Sequence, residues 1–359
     1  MRQKLVEYWP GIYIPNIPPK KTMGNLEESV IEMRTRVIND FCHKSSKFKY
    51  ILDSEVFQVF LMNNVETKKI IDNLPQLSYE ELLNRYQKAF NFSEEKYDNN
   101  FDFINSKEKI ILELNNIKKA LINLQDFKES VNIIQEKKQM KIEHYISLIH
   151  LFEDYEKYTL NTFIDNDTEK LVFFNPKNIK LCENILNLKK KIINPYVQMS
   201  NWLEENILDI EAMIGTLENL NNLFETLDKY NQEIKRLENE INSYDNNYIF
   251  NIKLCFSFKN KQTILNELNE QKNSTLNIIE DLKKIIQIAF TITEKYLEQF
   301  RLEQLQRYHK HIKLYSEDMK NNSDILNELW LFVSKDNNLK EIIKNNNNNN
   351  NKNNNIQNN

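Results

Sequence analysis

The sequence predicts a mainly α-helical chain built around three long antiparallel helices, and three observations carry that prediction. Glycine is scarce, 3 among 359 residues, against an ordinary usage of about 7%. Four of the seven prolines fall between Pro10 and Pro19, leaving the rest of the chain nearly free of helix breakers. From residue 104 onward, apolar residues recur at alternating spacings of three and four over very long stretches, the pattern of packed amphipathic helices. So few glycines exclude phosphate-cradling glycine loops, Rossmann turns and turn-rich all-β folds.

The first segment, Trp9 to Lys21, is the exception. Proline fixes φ near −65° and removes a backbone donor, and each residue before a proline is pushed toward extended conformations. The spacing predicts a stiff polyproline-like arm pinned by Trp9, Ile12, Ile14 and Ile17, with Lys20 and Lys21 at its end. Gly24 and Asn25 signal a turn. Val30, Met33, Val37, Ile38 and Phe41 then follow a helical pattern that also carries Arg34 and Arg36, and Ile51 to Met62 forms a second short helical run.

Residues 78–92 read as a short amphipathic helix with Leu82, Leu83, Tyr86, Ala89 and Phe90 on one side and Ser78 as N-cap. Such a helix can pack as a linker or lie in a bilayer surface, and the sequence leaves both open. The first long helix runs from about residue 104 to Tyr158 through Ile110, Leu114, Ile117, Leu121 and Leu124. The second opens at Pro176, kinks at Pro195 and runs to Tyr244 through Leu220, Leu223, Leu227, Tyr230, Ile234, Leu237 and Ile241. The third runs from Lys261 to Val333 with Ile279, Leu282, Ile286, Ala289, Thr293, Tyr296 and Phe300 on its seam. Ile278, Ile285 and Ile292 widen that stripe beyond a two-stranded coil. Three helices of this length make a thin rod that cannot hide so wide an apolar face, so dimerisation is expected to bury the remainder. The tail, residues 336–359, is dominated by asparagine and reads as disordered.

The order Trp9-Pro10-Gly11, then Pro15-Asn16-Ile17-Pro18-Pro19-Lys20, then a helix with Glu32, Arg34, Ile38 and Phe41, then Phe57 to Leu61, resembles the second half of a PX (phox homology) domain. The resemblance implies phosphoinositide binding. Lys20 takes the place of the loop lysine that meets the lipid phosphate, Arg34 that of the helix arginine on the inositol ring, and Lys21 adds a cation. Met1-Arg2-Gln3-Lys4-Leu5 looks like the tail of the family's first helix. The family's sheet and paired-arginine motif have no counterpart here, so a partial domain from an incomplete gene model is expected. By the same comparison, residues 104–335 resemble a BAR domain. Asn194-Pro195-Tyr196, Trp202-Leu203-Glu204 and Asp209 to Ile214 look like its central helix, and Lys259-Asn260-Lys261 like the start of its third. Lys253, Lys259 and Lys261 fall at the expected membrane-contacting tip.

The whole resembles a PX-BAR sorting nexin. Its regions would be 1–72 (PX half), 73–103 (linker with amphipathic helix), 104–335 (BAR-like) and 336–359 (tail). The resemblance implies a cytoplasmic protein, peripheral on endosome membranes, that binds phosphatidylinositol 3-phosphate and senses or shapes curvature in protein transport. It would dimerise with itself or another sorting nexin and could meet a retromer-like cargo complex. The alternative is a soluble helical scaffold acting through coiled-coil dimerisation without lipid.

Composition agrees with a binding role. Net charge is −4, with +2 on residues 1–72 (11 basic, 9 acidic) and −6 on the remainder (37 basic, 43 acidic), which argues against nucleic acid. The odd, scattered Cys42, Cys182 and Cys255 suit a reducing compartment. No His-Glu-x-x-His, Cys-x-x-Cys or serine-elbow motif occurs, so neither an enzyme nor a cofactor or metal is expected.

Overall fold

The computed structural model describes residues 1–17, 28–62, 66–163, 190–245 and 261–334. Six short helices come first: α1 (Arg2–Tyr8), α2 (Glu28–Ser45), α3 (Lys49–Leu52), α4 (Glu55–Leu61), α5 (Thr67–Asp72) and α6 (Tyr79–Phe90). Three long ones follow: α7 (Phe103–Asp154), α8 (Pro195–Asp245) and α9 (Lys261–Ser334). A π turn (Tyr155–Thr159) and a 3-10 turn (Leu160–Thr162) end the first long helix. Among the described residues there is no strand, as the PX-half reading expects.

Two compact units divide the chain across the long helices: residues 1–125 with 204–304, and residues 126–203 with 305–359. In the first unit, charged pairs on facing helices give the register. Lys107 meets Asp228 at 2.7 Å and Lys118 meets Glu218 at 2.6 Å, so α7 and α8 are antiparallel. Lys109 pairs with Glu294 and Arg301 with Glu113, so α7 and α9 run parallel. Exposed pairs of this kind add little stability each. The stabilisation comes from the core, where Leu217, Leu220, Leu282, Ile285, Ile286, Ile288 and Ala289 are completely buried. From Ile285 to Phe290, α9 is buried all round, as a helix at the centre of its unit must be. The same core takes in Leu5, Trp9, Ile14, Phe41, Ile51, Phe57 and Tyr86. Too small to bury a sound core alone, the N-terminal segment shares one with the long helices.

The linker helix α6 shows how. Its start is a capping box: the Ser78 hydroxyl accepts from the Glu81 N–H at 3.2 Å, and the Ser78 N–H donates to Glu81 Oε2 at 2.8 Å. Its end is Asn91, left-handed at φ 49°. Leu82, Leu83 and Tyr86 are buried in the shared core, and the Tyr86 hydroxyl donates to the Pro10 carbonyl at 2.5 Å. The apolar face available for a bilayer is therefore spent on packing, and the packed-linker reading holds.

In the second unit, α7 and α8 are again antiparallel: Asn194 Nδ2 donates to the Gln135 carbonyl at 2.7 Å and Ser200 Oγ to Asn132 Oδ1 at 2.6 Å. Between α8 and α9, the Tyr315 hydroxyl donates to the Tyr196 hydroxyl at 3.0 Å, and Trp202 stacks on His311. The expected kink at Pro195 does not occur. Pro195 is instead the first residue of α8, where its missing N–H would have been an orphan anyway. Asn322 fixes this start. Its buried amide takes the Ile193 N–H at 3.1 Å and donates to the Ile193 carbonyl at 2.7 Å. The expected opening at Pro176 lies outside the described residues.

Burial, with Lys310 and Arg307 adding to it, holds the His311 imidazole below its ordinary value. The unfolded chain takes up that proton near about pH 6.5, while the folded chain resists it. The contribution of His311 is therefore fully present above that pH and is lost as pH falls from there through the lower folded value. His311→Phe, which keeps a ring against Trp202, is expected to narrow the difference in melting temperature between about pH 7.5 and 5.5. An unchanged difference would remove His311 as its source.

Candidate functional site

The Trp9–Ile17 loop is fastened at every step. Gly11 turns it at φ +80°, with the Ile12 N–H donating to the Trp9 carbonyl at 3.1 Å. Thr293 Oγ1 donates to the Gly11 carbonyl at 2.6 Å and the Tyr50 hydroxyl to the Tyr13 carbonyl at 2.5 Å. Arg2 closes back from α1, its Nε donating to the Pro15 carbonyl at 2.9 Å and its Nη2 to the Ile14 carbonyl at 3.4 Å. Trp9, Ile12, Tyr13 and Ile14 are all buried, and Ile17 packs against the same core when the described stretch ends. A loop whose carbonyls are paired this thoroughly can hold whatever follows Ile17 at a fixed starting point. Lys20 and Lys21 themselves lie outside the described residues, as do Lys253 and Lys259. Lys261 opens α9.

α2 carries two arginines on different sides. Arg36 faces α8: its Nη2 lies 3.1 Å from Glu204 and its Nε 3.4 Å from Glu205. Lys44, in the last turn of α2, bridges Asp40 at 2.6 Å and the buried Asp209 at 2.5 Å. From the loop, Asn16 Nδ2 donates to Glu211 Oε2 at 2.9 Å. Glu204, Glu205, Asp209 and Glu211 thus form an acidic seam on α8 that receives the N-terminal segment. Burial, helped by the Asp40 carboxylate, holds Glu205 above the ordinary carboxylate range despite Arg36 and Lys44.

Arg34 is placed differently. It sits in register with Val30, Val37 and Phe41, three buried residues spaced as one helix stripe. Arg34 itself is half-buried. Among the described residues it has no ion-pair or hydrogen-bond partner. A guanidinium on an apolar stripe with no carboxylate opposite is costly unless an anion completes it, and its planar fork suits bidentate phosphate binding. Of the sequence-predicted headgroup residues, then, Arg34 is the one described, and it is the uncommitted one. What the sequence reading missed is the seam. The acids at 204, 205, 209 and 211 were a visible cluster, but their partners lie about 170 to 195 positions away in the chain.

Among the described residues, no group of three or more His, Cys, Asp or Glu side chains is placed to hold a metal, and no helix is long and apolar enough to cross a membrane. Residues 1–64 match the PX domain family. Among solved structures, the chain is similar to the SNX-BAR protein Mvp1, determined by cryo-EM as a tetramer. The TM-score is 0.54 at 10% identity, covering 91% of this chain and 86% of that one. No curated protein matches the sequence. Residues 1–64 are therefore similar to the PX domain, and over nearly its whole length the chain shares its fold with the SNX-BAR protein Mvp1.

Proposed function

We propose that this protein is a peripheral membrane protein of the sorting nexin type. In this reading it binds phosphoinositide, in particular phosphatidylinositol 3-phosphate, on endosomes, and responds to membrane curvature through a dimer of its long helices. The observation that carries the reading is Arg34, a guanidinium on the inward stripe of α2 with no partner among the described residues, within the segment similar to a PX domain. Lys20 and Lys21 would complete the headgroup contacts from the loop. Lys253, Lys259 and Lys261 would meet the bilayer from the tip between α8 and α9. The apolar residues left exposed on the second unit, among them Leu151, Tyr158 and Leu305, support a dimer, with a second copy or another sorting nexin covering them. The role is binding rather than catalysis, with a retromer-like cargo complex as a possible further partner. Headgroup and dimer contacts would multiply through effective concentration.

The test is flotation with vesicles carrying phosphatidylinositol 3-phosphate, other phosphoinositides, or none. Charge-assisted hydrogen bonds contribute about 1.5–3 kcal/mol. Arg34→Ala is therefore expected to weaken binding about ten- to a hundredfold without lowering the melting temperature of the free protein. Equal flotation of wild type and Arg34→Ala on every vesicle would overturn the headgroup reading.

A further inference from the structure

A groove of about 490 Å³ opens on the first unit between α3–α4 and α6, within the size range of about 300–1,000 Å³ typical of ligand sites. Arg34 does not line it. Trp9, Tyr50 and Ala89 contribute its apolar surface; Asp53, Glu55 and Lys49 flank it from one side, and Arg85 and Lys88 from the other. We propose that this groove is a binding site for a short peptide segment carrying one acidic and one basic side chain around an apolar one.

Three observations lead there. First, the groove holds unspent hydrogen-bonding capacity. Trp9 is 3% exposed and Ser54 2% exposed, both line the groove, and neither the Trp9 Nε1–H nor the Ser54 hydroxyl has a partner among the described residues. Ser54 occupies the N-cap position of α4 yet its side chain caps nothing. Buried polar groups are ordinarily satisfied, and two orphans on one cavity call for an explanation. A peptide backbone offers carbonyl acceptors for both. The Tyr50 hydroxyl, by contrast, is spent on the Tyr13 carbonyl.

Second, the charges are uncommitted and of both signs. Arg85 lies over the rings of Tyr8 at 4.6 Å and Trp9 at 5.8 Å, with no carboxylate paired to it among the described residues. Lys88, Asp53 and Glu55 likewise have no ion-pair partner among them. Glu81 is also at the groove, but its carboxylate is held by the Ser78 N–H and hydroxyl at 2.8 and 3.0 Å. Available charge is therefore positive along α6, while the α3–α4 side carries the Asp53 and Glu55 carboxylates beside Lys49. A polyanion such as an inositol phosphate or nucleic acid would be repelled by Asp53 and Glu55. A segment with an acid facing Arg85 and Lys88 and a base facing Asp53 and Glu55 matches both walls. Third, an aromatic floor flanked by arginine and polar residues has the composition of protein-binding hot spots.

The test is to pan a random dodecapeptide phage library on the full chain and on its Lys88→Glu variant, then measure enriched synthetic peptides by fluorescence anisotropy. Lys88 is exposed, so this substitution leaves the core alone. Wild type is expected to enrich peptides pairing Asp or Glu with a large apolar residue. Their affinity should fall at least tenfold on Lys88→Glu and return when the peptide acid is changed to Lys. It should stay unchanged on Arg34→Ala. The Trp9 indole N–H resonance, identified by its loss in Trp9→Phe, should shift on peptide addition. The proposal is overturned if the two pannings enrich the same peptides, if affinity ignores Lys88→Glu, or if a soluble inositol phosphate displaces the peptide.

Discussion

Trp9→Ala is expected to lower the free energy of unfolding of the first unit by about 3–5 kcal/mol, the range for deleting a buried large aromatic side chain. The ring is 3% exposed and touches three others, with centroids 5.4 Å from Tyr50, 5.4 Å from Tyr86 and 5.9 Å from Phe90. Those three come from α3 and α6, so the indole is the piece that lets the N-terminal segment and the linker share one core. Removing it leaves a cavity lined by rings that are themselves pinned: Tyr50 to Tyr13 and Tyr86 to Pro10. Such a site cannot collapse, which puts the cost at the upper end. Trp9→Phe separates volume from polarity. The indole N–H has no acceptor, so the change forfeits no hydrogen bond and is expected to cost about 1 kcal/mol. Urea unfolding followed by circular dichroism measures both. A Trp9→Ala cost no larger than that of Trp9→Phe would mean the ring does not fill the space the structure gives it.

That indole also marks how far the sequence could be read. The helices were legible because their signal is local: Leu220, Leu223, Leu227, Ile234 and Leu237 on α8, and Ile279, Leu282, Ile286 and Ala289 on α9, are all buried as their spacing requires. The proline loop was legible as rigid and apolar for the same reason. Its destination was not. Amphipathicity says that Leu82, Leu83 and Tyr86 share a face, but not whether a bilayer or a core covers it. The contacts that decide run from Tyr86 to Pro10 and from Thr293 to Gly11, pairs that no window of sequence contains. Pro195 was misjudged on similar grounds. Proline chemistry fits a kink and a first turn equally, and the residue that fixes the outcome, Asn322, holds Ile193 from 129 positions away. Of the headgroup candidates, Arg34 could be picked out by motif. That it lacks a partner among the described residues while Arg36 has two depends on the acids at 204 and 205 of a helix that begins more than 150 residues later.

Glycine offers the sharpest contrast, because one substitution should have opposite signs at two positions. Gly11→Ala is expected to destabilise and Gly215→Ala to stabilise. At Gly11 the backbone lies at φ +80°, a conformation that costs an L-residue about 1–2 kcal/mol. An added Cβ there would stand 3.2 Å from Leu220 Cβ and 3.3 Å from Leu220 Cα. The Cα belongs to the backbone of α8, which has no rotamer with which to yield. The loop cannot retreat easily either, since the Gly11 carbonyl is held by Thr293 at 2.6 Å in a buried bond. Strain and contact together put Gly11→Ala at about 2–3 kcal/mol, and Gly11→Val higher, because a β-branched side chain tolerates positive φ least. Gly215 lies inside α8 with nothing within 4 Å of an added Cβ. There the only effects are the backbone freedom lost and the helix propensity gained, so Gly215→Ala should stabilise by about 0.5–1 kcal/mol. Thermal unfolding of the two variants beside wild type reads both signs at once. If Gly11→Ala matched Gly215→Ala, the loop would not sit against α8 at Leu220, and the shared core of the N-terminal segment and the long helices would lose that contact.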